Sequence, residues 1–145
     1  AIELNRPNPK DGLDVLTKVG GFEIGVLAGV MLGAAAGQRP LVVDGFISGA
    51  AALIAFTIAP QARHRFIASH QSVEPGHHIQ LDAMKLSPLL DMGMRLGEGT
   101  GAALAMHIIE ASAKCLSDMA TFAEAGVSER TGEEAGDENG DEAAH

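Results

Sequence analysis

The sequence is poor in aromatic residues and in cysteine, and both shortages restrict the functions open to it. Among its 145 residues there is no Trp, no Tyr and only five Phe. Because the chain also has no stripe of Lys and Arg, it lacks the features with which proteins stack on and neutralise nucleic acids, and we expect no nucleic-acid role. The single cysteine, Cys115, excludes an internal disulfide and any zinc site with several cysteines. Cys115 falls within the apolar spacing of the last helical segment, so we expect a buried structural thiol.

The sequence also lacks an apolar run long enough to cross a membrane. Its two most apolar stretches, 24–36 and 45–60, fall short of the roughly 20 residues that a spanning helix requires. Both contain several Gly or Ala and predict buried core helices. Residues 1–6 show no apolar segment of the kind found in signal peptides. We therefore expect a soluble, cytoplasmic protein without a membrane partner.

The negative charge of the chain is concentrated at its C-terminal end. Of 19 acidic residues, seven follow Val127, together with one of the ten basic residues, so only −3 of the net charge of −9 belongs to the rest of the chain. Residues 128–145 have no apolar periodicity and predict a disordered acidic tail. The foldable part is expected to be 1–127.

The alternation of helical and strand-like patterns predicts an α/β fold. Pro7 and Pro9 disfavour helix for the residues before them, so 1–10 is expected to be extended. The predicted elements are helices at about 12–19, 22–36, 47–59, 77–86 and 100–123, strands at 41–43 and 66–68, and a loop at 69–76. This order calls for a parallel sheet that binds ligands at the carboxyl ends of its strands. With two or three strands at most, the chain is expected to be part of a larger sheet.

A glycine-rich segment at the start of the last helix is the most informative feature of the sequence. It reads Arg95-Leu96-Gly97-Glu98-Gly99-Thr100-Gly101. Glycine tolerates positive φ and allows a ligand to approach the main chain, and the free N–H groups of a helix start attract anions. A carboxylate in such a loop is well placed for proton transfer. The alternative is an ordinary turn with Glu98 exposed in the first turn of the helix, where the helix dipole favours an acidic residue.

The longer string around this loop, residues 94–105, resembles the C-terminal signature of the nicotinate-nucleotide:dimethylbenzimidazole phosphoribosyltransferases, which assemble the lower nucleotide loop of cobalamin. Further motifs resemble the same family in the same order, from about Arg6 to about Val127. They are Asn8-Pro9-Lys10-Asp11-Gly12, Val15-Leu16, Gly20-Gly21, Leu41-Val42-Val43-Asp44-Gly45-Phe46, Ser69-His70-Gln71-Ser72-Val73-Glu74-Pro75-Gly76-His77 and Met119-Ala120-Thr121-Phe122.

The resemblance implies a fold, a reaction and a site. The fold would be the C-terminal part of a Rossmann-like parallel-sheet domain with long C-terminal helices. The reaction would transfer the phosphoribosyl group of nicotinate mononucleotide to dimethylbenzimidazole, without cofactor or metal. Glu98 would be the general base, with its pKa raised by desolvation in an apolar pocket. Leu96 would line the flat benzimidazole pocket, the Gly97 backbone would pack against substrate, and Ser72 would bind the phosphate.

The family is dimeric, so the resemblance also implies a homodimer. Complete members are longer than this chain, and their N-terminal half would supply most of the sheet, a second active-site Glu and the glycine-rich phosphate loops. That missing half is therefore an expected partner.

The remaining candidate residues have ordinary alternatives. Without the family, Ser72 would be interpreted as part of a helix N-cap region. Asp44, which precedes Gly45 at the end of a strand, could contact a ribose, orient the loops, or cap the next helix. Arg95 could pair with phosphate or carboxylate, although a structural ion pair is the simpler interpretation.

The histidines at 70, 77 and 78 suggest a metal site, but their spacing does not support one. They form no pair at i and i+4, no second cluster completes a site, and azole transfer needs no metal. A Ser72 nucleophile activated by His70 is also disfavoured, because no glycine elbow surrounds the serine.

Two further functions stay open. The chain could be a non-catalytic binding or assembly module that keeps the fold and the apolar pocket. It could also belong to a relative that uses a different acceptor base, since the sequence does not rank azoles or phenols.

Overall fold

The computed structural model of the protein describes residues 1–127. The predicted acidic tail, 128–145, lies outside the described residues. Residues 1–111 form one compact unit, and residues from Ser112 onward belong to a second. The α-helices are α1 (Ile2–Asn5), α2 (Gly12–Val19), α3 (Phe22–Ala36), α4 (Phe46–Ile58), α5 (Pro75–Met84) and α6 (Thr100–Asp118). The strands are β1 (Leu41–Val43), β2 (Phe66–Ala68), β3 (His70–Ser72) and β4 (Leu90–Met94), and a 3₁₀ turn occupies Pro60–Arg65. The predicted α/β class is confirmed.

The prolines predicted that residues 1–10 are extended. This prediction is wrong for the first part of the segment. Residues Ile2–Asn5 form one helical turn that ends at Arg6 in the left-handed region, because the prolines restrict only their immediate predecessors. The helix α2 begins as predicted: the Asp11 carboxylate accepts hydrogen bonds from the backbone of Leu13 and Asp14.

The helix α4 is the centre of the core, and α2, α3 and α5 all pack against it. Its residues Ala51, Ala52 and Ala55 are completely buried. Small side chains allow neighbouring helix backbones to approach closely, so a sequence with few aromatics still forms a dense interior. Of the larger core side chains, Ile54 belongs to α4, whereas Met31 and Phe66 come from surrounding elements.

Two pairs of parallel strands form the sheet structure. The strands β1 and β2 pair with Leu41 opposite Phe66 and Val43 opposite Ala68. The strands β3 and β4 pair with His70 opposite Leu90, with a register irregularity before Ser72. Strands that pair in parallel require long connections. The helix α4 lies in the connection from β1 to β2, and α5 lies in the connection from β3 to β4.

Ser69 joins the two strand pairs. Its N–H donates to the Val43 carbonyl at 2.9 Å, and its own carbonyl accepts from Leu90 N–H at 3.0 Å. The stretch 66–72 is therefore nearly continuous, with β1 paired to its first half and β4 to its second. The prediction of two or three strands at most is wrong. Strands β3 and β4 carry polar residues and a glycine. Neither therefore has the apolar run that predicts a buried strand from sequence.

The last helix is shorter than predicted. The helix α6 ends at Asp118, not near residue 123. After it, Thr121 and Glu124 form a reciprocal capping box: Glu124 Oε2 accepts from Thr121 N–H, and Thr121 Oγ1 accepts from Glu124 N–H. This motif marks the start of a new turn.

The structure also corrects the prediction for Cys115, which is exposed. The apolar spacing around Cys115 continues the period of α6, but all described residues from 110 to 127 are exposed. Periodicity therefore predicted the helix correctly and its burial wrongly.

A broad apolar surface of α3 is exposed in the described chain. Phe22 is 96% exposed, and Val26 and Val30 are also largely exposed. None of the helices within residues 1–127 is both long enough and apolar enough to cross a membrane.

Candidate active site

A cavity of about 490 Å³ opens at the carboxyl ends of the parallel strands. Strand-end segments after β1 and β4, strand β3 itself, and the first turn of α4 all contribute to its wall. This is the edge at which α/β proteins bind their ligands. Its lining residues are Leu27, Asp44, Gly45, Phe46, Ile47, Ser48, His70, Ser72, Glu74, Arg95, Leu96, Gly97, Glu98 and Gly99.

All seven candidate residues predicted from the sequence lie around this single cavity. They come from three separate segments of the chain, and the parallel arrangement of the strands brings those segments to one edge. The seven are Asp44, Gly45, Ser72, Arg95, Leu96, Gly97 and Glu98.

The loop that carries Glu98 adopts an unusual backbone conformation. Gly97, Glu98 and Gly99 have consecutive positive φ angles of 78°, 55° and 79°. Glycine adopts such angles freely, whereas a non-glycine residue there costs about 1–2 kcal/mol. Strain of this kind is typical of functional loops.

The Glu98 side chain is exposed. The apolar enclosure that we predicted for it is therefore not provided by the described residues.

The Asp44 carboxylate binds the start of α6. Its Oδ2 accepts from Gly99 N–H at 3.2 Å, and its Oδ1 accepts from Ala102 N–H at 2.9 Å. The next helix along the chain, α4, has Gly45 as its N-cap and no side-chain cap. The interpretation of Asp44 as a cap for α4 is thus wrong, because tertiary structure brings a different helix start to the carboxylate.

Ser72 is held by two local hydrogen bonds. Its N–H donates to His77 Nδ1 at 2.9 Å, and its Oγ accepts from Glu74 N–H at 3.3 Å. The hydroxyl proton is not used in either bond, so it can be donated to an acceptor in the cavity. The N-cap of α5 is Glu74, which leaves Ser72 two residues before that N-cap.

His77 is buried beneath Ser72 and is held neutral. Because Nδ1 accepts from Ser72, the ring proton is on Nε2. Burial lowers the pKa of His77, the charge of His70 lowers it further, and Asp44 acts weakly in the opposite direction.

Arg95 and Leu96 both lie on the exposed rim of the cavity. Within residues 1–127, no ion pair involves Arg95. The interpretation of Arg95 as half of a structural ion pair therefore finds no support in the described part of the chain.

Sequence reasoning missed half of the cavity wall. The residues 46–48 follow the strand-end pair Asp44-Gly45 directly, and that position was a usable signal. His70 and Glu74 lie within the motif at 69–77, whose pattern suggests His70 only as a metal ligand or as a partner of Ser72. Leu27 comes from α3 and carries no local signal, because only the packing of α3 brings it to the cavity.

Comparisons with known proteins agree on one family. A family model described as phosphoribosyltransferase (DBI_PRT) matches residues 1–127. A nicotinate-nucleotide–dimethylbenzimidazole phosphoribosyltransferase of Chloroflexus aggregans is 65% identical over 130 residues, which cover 90% of this chain and 37% of the relative. A protein with the same name from Dehalococcoides mccartyi has the same identity and coverage. One from Desulforamulus reducens is 62% identical and is covered to 36%.

Solved structures give the same result. A crystal structure of nicotinate-nucleotide–dimethylbenzimidazole phosphoribosyltransferase from Thermus thermophilus superposes with a TM-score of 0.79 at 49% identity, covering 83% of this chain and 36% of that one. A structure of CobT from the same organism gives a TM-score of 0.80, also at 49% identity, with 86% and 38% covered. The chain thus spans little more than a third of the length of the relatives that it matches. Given the match over 1–127, this chain belongs to the DBI_PRT phosphoribosyltransferase family.

Proposed function

We propose that this chain is the base-bearing part of an enzyme that transfers the phosphoribosyl group of nicotinate mononucleotide to dimethylbenzimidazole. The products are α-ribazole phosphate, used for the lower nucleotide loop of cobalamin, and nicotinate. The names of its relatives support this activity. Because the chain spans only about 37% of their length, the activity is proposed for the native polypeptide that contains residues 1–127.

The observation that carries the proposal is the position of Glu98. Its carboxylate is presented by a left-handed loop at the rim of a cavity of about 490 Å³. The residue is exposed, so its carboxylate takes no part in core packing. A strained, exposed acidic residue at the ligand-binding edge of a parallel sheet is suited to proton transfer.

In the proposed reaction, Glu98 acts as the general base. One nitrogen of the azole forms a bond to the anomeric carbon of the ribose as the bond from that carbon to nicotinate breaks. The electron pair of the broken bond neutralises the pyridinium nitrogen of the leaving nicotinate. The N–H proton of the azole ring passes to the Glu98 carboxylate.

The other residues of the cavity divide between the two substrates. Leu96 contributes an apolar surface to the flat acceptor ring, and Gly97 allows the ring to approach the backbone. Ser72, with its free hydroxyl proton, binds the phosphate, and Arg95 supplies a positive charge on the same rim. Gly45 and Asp44 line the cavity near the ribose. No step of this exchange requires a metal or a redox cofactor.

The substitution Glu98→Gln in the native polypeptide tests the proposal. The amide keeps the size of the side chain but cannot accept the proton, so turnover should fall by roughly 10²–10⁴-fold. Release of nicotinate is the measured quantity. The matched control is Glu23→Gln, which alters an exposed glutamate of α3 and should leave turnover unchanged. Near-normal turnover by Glu98→Gln would remove Glu98 from the role of base.

A second candidate function is a non-catalytic binding or assembly module of the same fold. The limited coverage of the relatives favours keeping it, because this chain spans only 37% of the first of them. Calorimetric titration with dimethylbenzimidazole and nicotinate mononucleotide, beside a turnover assay, separates the two. Binding without turnover by the native protein would support the module, and turnover would exclude it. Running the same assay with other azoles and with phenols identifies the acceptor.

We also propose that the native protein is a cytoplasmic homodimer with a complete Rossmann-like sheet. The exposed apolar face of α3, which includes Phe22, Val26 and Val30, supports a covering partner, since apolar surface of this kind marks interfaces. The N-terminal half and the second subunit are the proposed partners. Light scattering together with intact mass measures both: a stable monomer of 14.9 kDa would contradict this proposal.

A further inference from the structure

We propose that His70 is a positioning residue for Glu98, acting through Asp44. The imidazole of His70 holds Asp44 in place through Ser69, and the Asp44 carboxylate holds the backbone of the loop that presents Glu98. We call His70 and Asp44 the loop clamp. The inference rests on the proposed role of Glu98 as the base.

The Asp44 carboxylate contacts the loop immediately beside Glu98. Its two oxygens accept from Gly99 N–H at 3.2 Å and from Ala102 N–H at 2.9 Å. Gly99 follows Glu98 directly, and Ala102 lies in the first turn of α6. Hydrogen bonds from N–H groups to an ionised acceptor are stronger than those to a neutral one, and the helix dipole favours a negative charge here. Asp44 therefore determines where the left-handed loop lies.

His70 lies close to Asp44 and is buried. The ring is only 3% exposed, and its Nδ1 lies 4.0 Å from Asp44 Oδ1. Ser69 Oγ donates to the Asp44 carbonyl at 2.8 Å and lies 3.2 Å from His70 Nδ1.

These distances determine which ring nitrogen carries a proton. The Ser69 hydroxyl has one proton, and the Asp44 carbonyl can only accept, so that bond uses the proton. Ser69 Oγ must then accept from His70, which places a proton on Nδ1. The Nδ1–H group of His70 therefore donates to Ser69 Oγ, and Ser69 Oγ donates to the Asp44 carbonyl, so two hydrogen bonds connect the ring to Asp44 through Ser69.

Two glycines make room for the imidazole. A Cβ at Gly101 would collide with the His70 ring, and a Cβ at Gly45 would lie 3.2 Å from His70 Cε1. Gly101 has no positive φ, so space around His70, not backbone conformation, explains this glycine. The ring thus fills the gap between the end of β1 and the start of α6, the two segments that Asp44 connects.

The test uses the native polypeptide with three clamp variants and two controls. His70→Leu removes the Nδ1 donor, and His70→Asn returns an N–H at a similar distance from Cβ. Asp44→Asn removes the charge and one acceptor. The controls are His78→Asn and Asp82→Asn, which alter exposed residues of α5. Amide hydrogen exchange at Gly99 and Ala102 reports the loop, and steady-state kinetics report its consequence for Glu98.

We expect His70→Leu and Asp44→Asn to speed exchange of the Gly99 and Ala102 amides by about 10-fold or more. In both variants kcat should fall by about 10-fold. In His70→Leu, KM for nicotinate mononucleotide should change by less than about 2-fold, since this variant misplaces the base without removing a proposed substrate contact. His70→Asn should recover part of both losses, and the two controls should behave as the wild type.

Three results would overturn the inference. Unchanged exchange at Gly99 and Ala102 in a folded His70→Leu protein would show that His70 does not hold the loop. A raised KM with unchanged kcat would make His70 a direct substrate contact. If His70→Leu does not fold, the pair His70→Asn and Asp44→Asn decides, and wild-type exchange in Asp44→Asn would refute the clamp. Normal turnover by Glu98→Gln would refute the role of Glu98 as the base. The exchange measurements would still test whether the loop clamp holds the loop.

Discussion

The core around α4 and the loop around Glu98 both adjoin the short parallel strands, but different properties of their residues determine their structures. The core is built from small apolar residues in ordinary helical conformation, with Ala51, Ala52 and Ala55 completely buried. The loop consists of glycines and a glutamate in left-handed conformation and is held by an aspartate from another segment. In the core, side-chain volume determines the structure; at the loop, backbone angle and hydrogen bonds do.

The two regions should therefore respond differently to substitution. A change of volume is felt most where packing is dense, whereas a change of permitted φ is felt where the backbone is left-handed. The loop should lose activity before the protein loses stability, and the core should behave the other way round.

The largest effect on stability is expected from enlarging the core at Ala52. The substitution Ala52→Leu adds three carbons where no space is available, and the free energy of unfolding should fall by roughly 1–3 kcal/mol or more. Urea denaturation of the native protein measures the loss. Ala83→Leu, at an exposed position of α5, is the matched control and should change stability little. Equal effects at the two positions would contradict the assignment of α4 as the centre of the core.

A smaller effect on stability, with a clear effect on activity, is expected at Gly99. No atom lies within 4 Å of a Cβ built there, so the effect of a substitution on stability reports chiefly the backbone conformation. Gly99→Val should cost about 1–2 kcal/mol, whereas Gly99→Asn should cost less, because Asn tolerates left-handed angles.

Denaturation measures the effect of each Gly99 substitution on stability, and a turnover assay of the same protein measures its effect on activity. If Val and Asn behave alike at this position, its positive φ is not what the loop requires.

A pH effect of intermediate size is expected from His77. Its pKa is lowered, chiefly by burial, and protonation of Nδ1 would break the bond from Ser72 N–H. Since the folded state favours neutral His77, this contribution to stability is present above the ordinary pKa of about 6.5 and is lost as the pH falls through the lower value of the folded state.

Unfolding free energies at pH 7.5 and 5.5, compared between the wild type and His77→Gln, measure this contribution. The variant should show the weaker dependence on pH. An identical dependence in both proteins would exclude His77 as its source.

The smallest effect is expected from the C-terminal tail. Residues 128–145 carry most of the net negative charge and follow the last motif that resembles the family. Their deletion should leave binding of nicotinate mononucleotide unchanged, whereas deletion of 95–101 should abolish binding and turnover together. Calorimetric titration measures both. Loss of azole binding after removal of 128–145 alone would refute the assignment of the tail as dispensable.

Much of the fold could be predicted because its signals are local. The boundaries of α2 and α3 follow from Asp11, from the glycines at 20 and 21, and from Gly37. Strands β1 and β2 follow from short apolar runs, and both were confirmed. The strands β3 and β4 were missed because they pair through backbone bonds between polar segments, for which periodicity provides no evidence.

The sequence by itself determined the α/β class, most helices and the clustering of candidate residues at strand ends, because each depends on neighbouring residues and on the φ angles they allow. Only the tertiary structure decided which groups meet. Asp44 reaches Ala102 across 58 positions of the chain, and His70 fits beneath it in a gap between two glycines. The exposure of Glu98 and of Cys115 was likewise set by packing. Contacts between residues distant in sequence produce no periodic pattern in the sequence. A single sequence therefore identifies candidate residues of this site but not which of them contact one another.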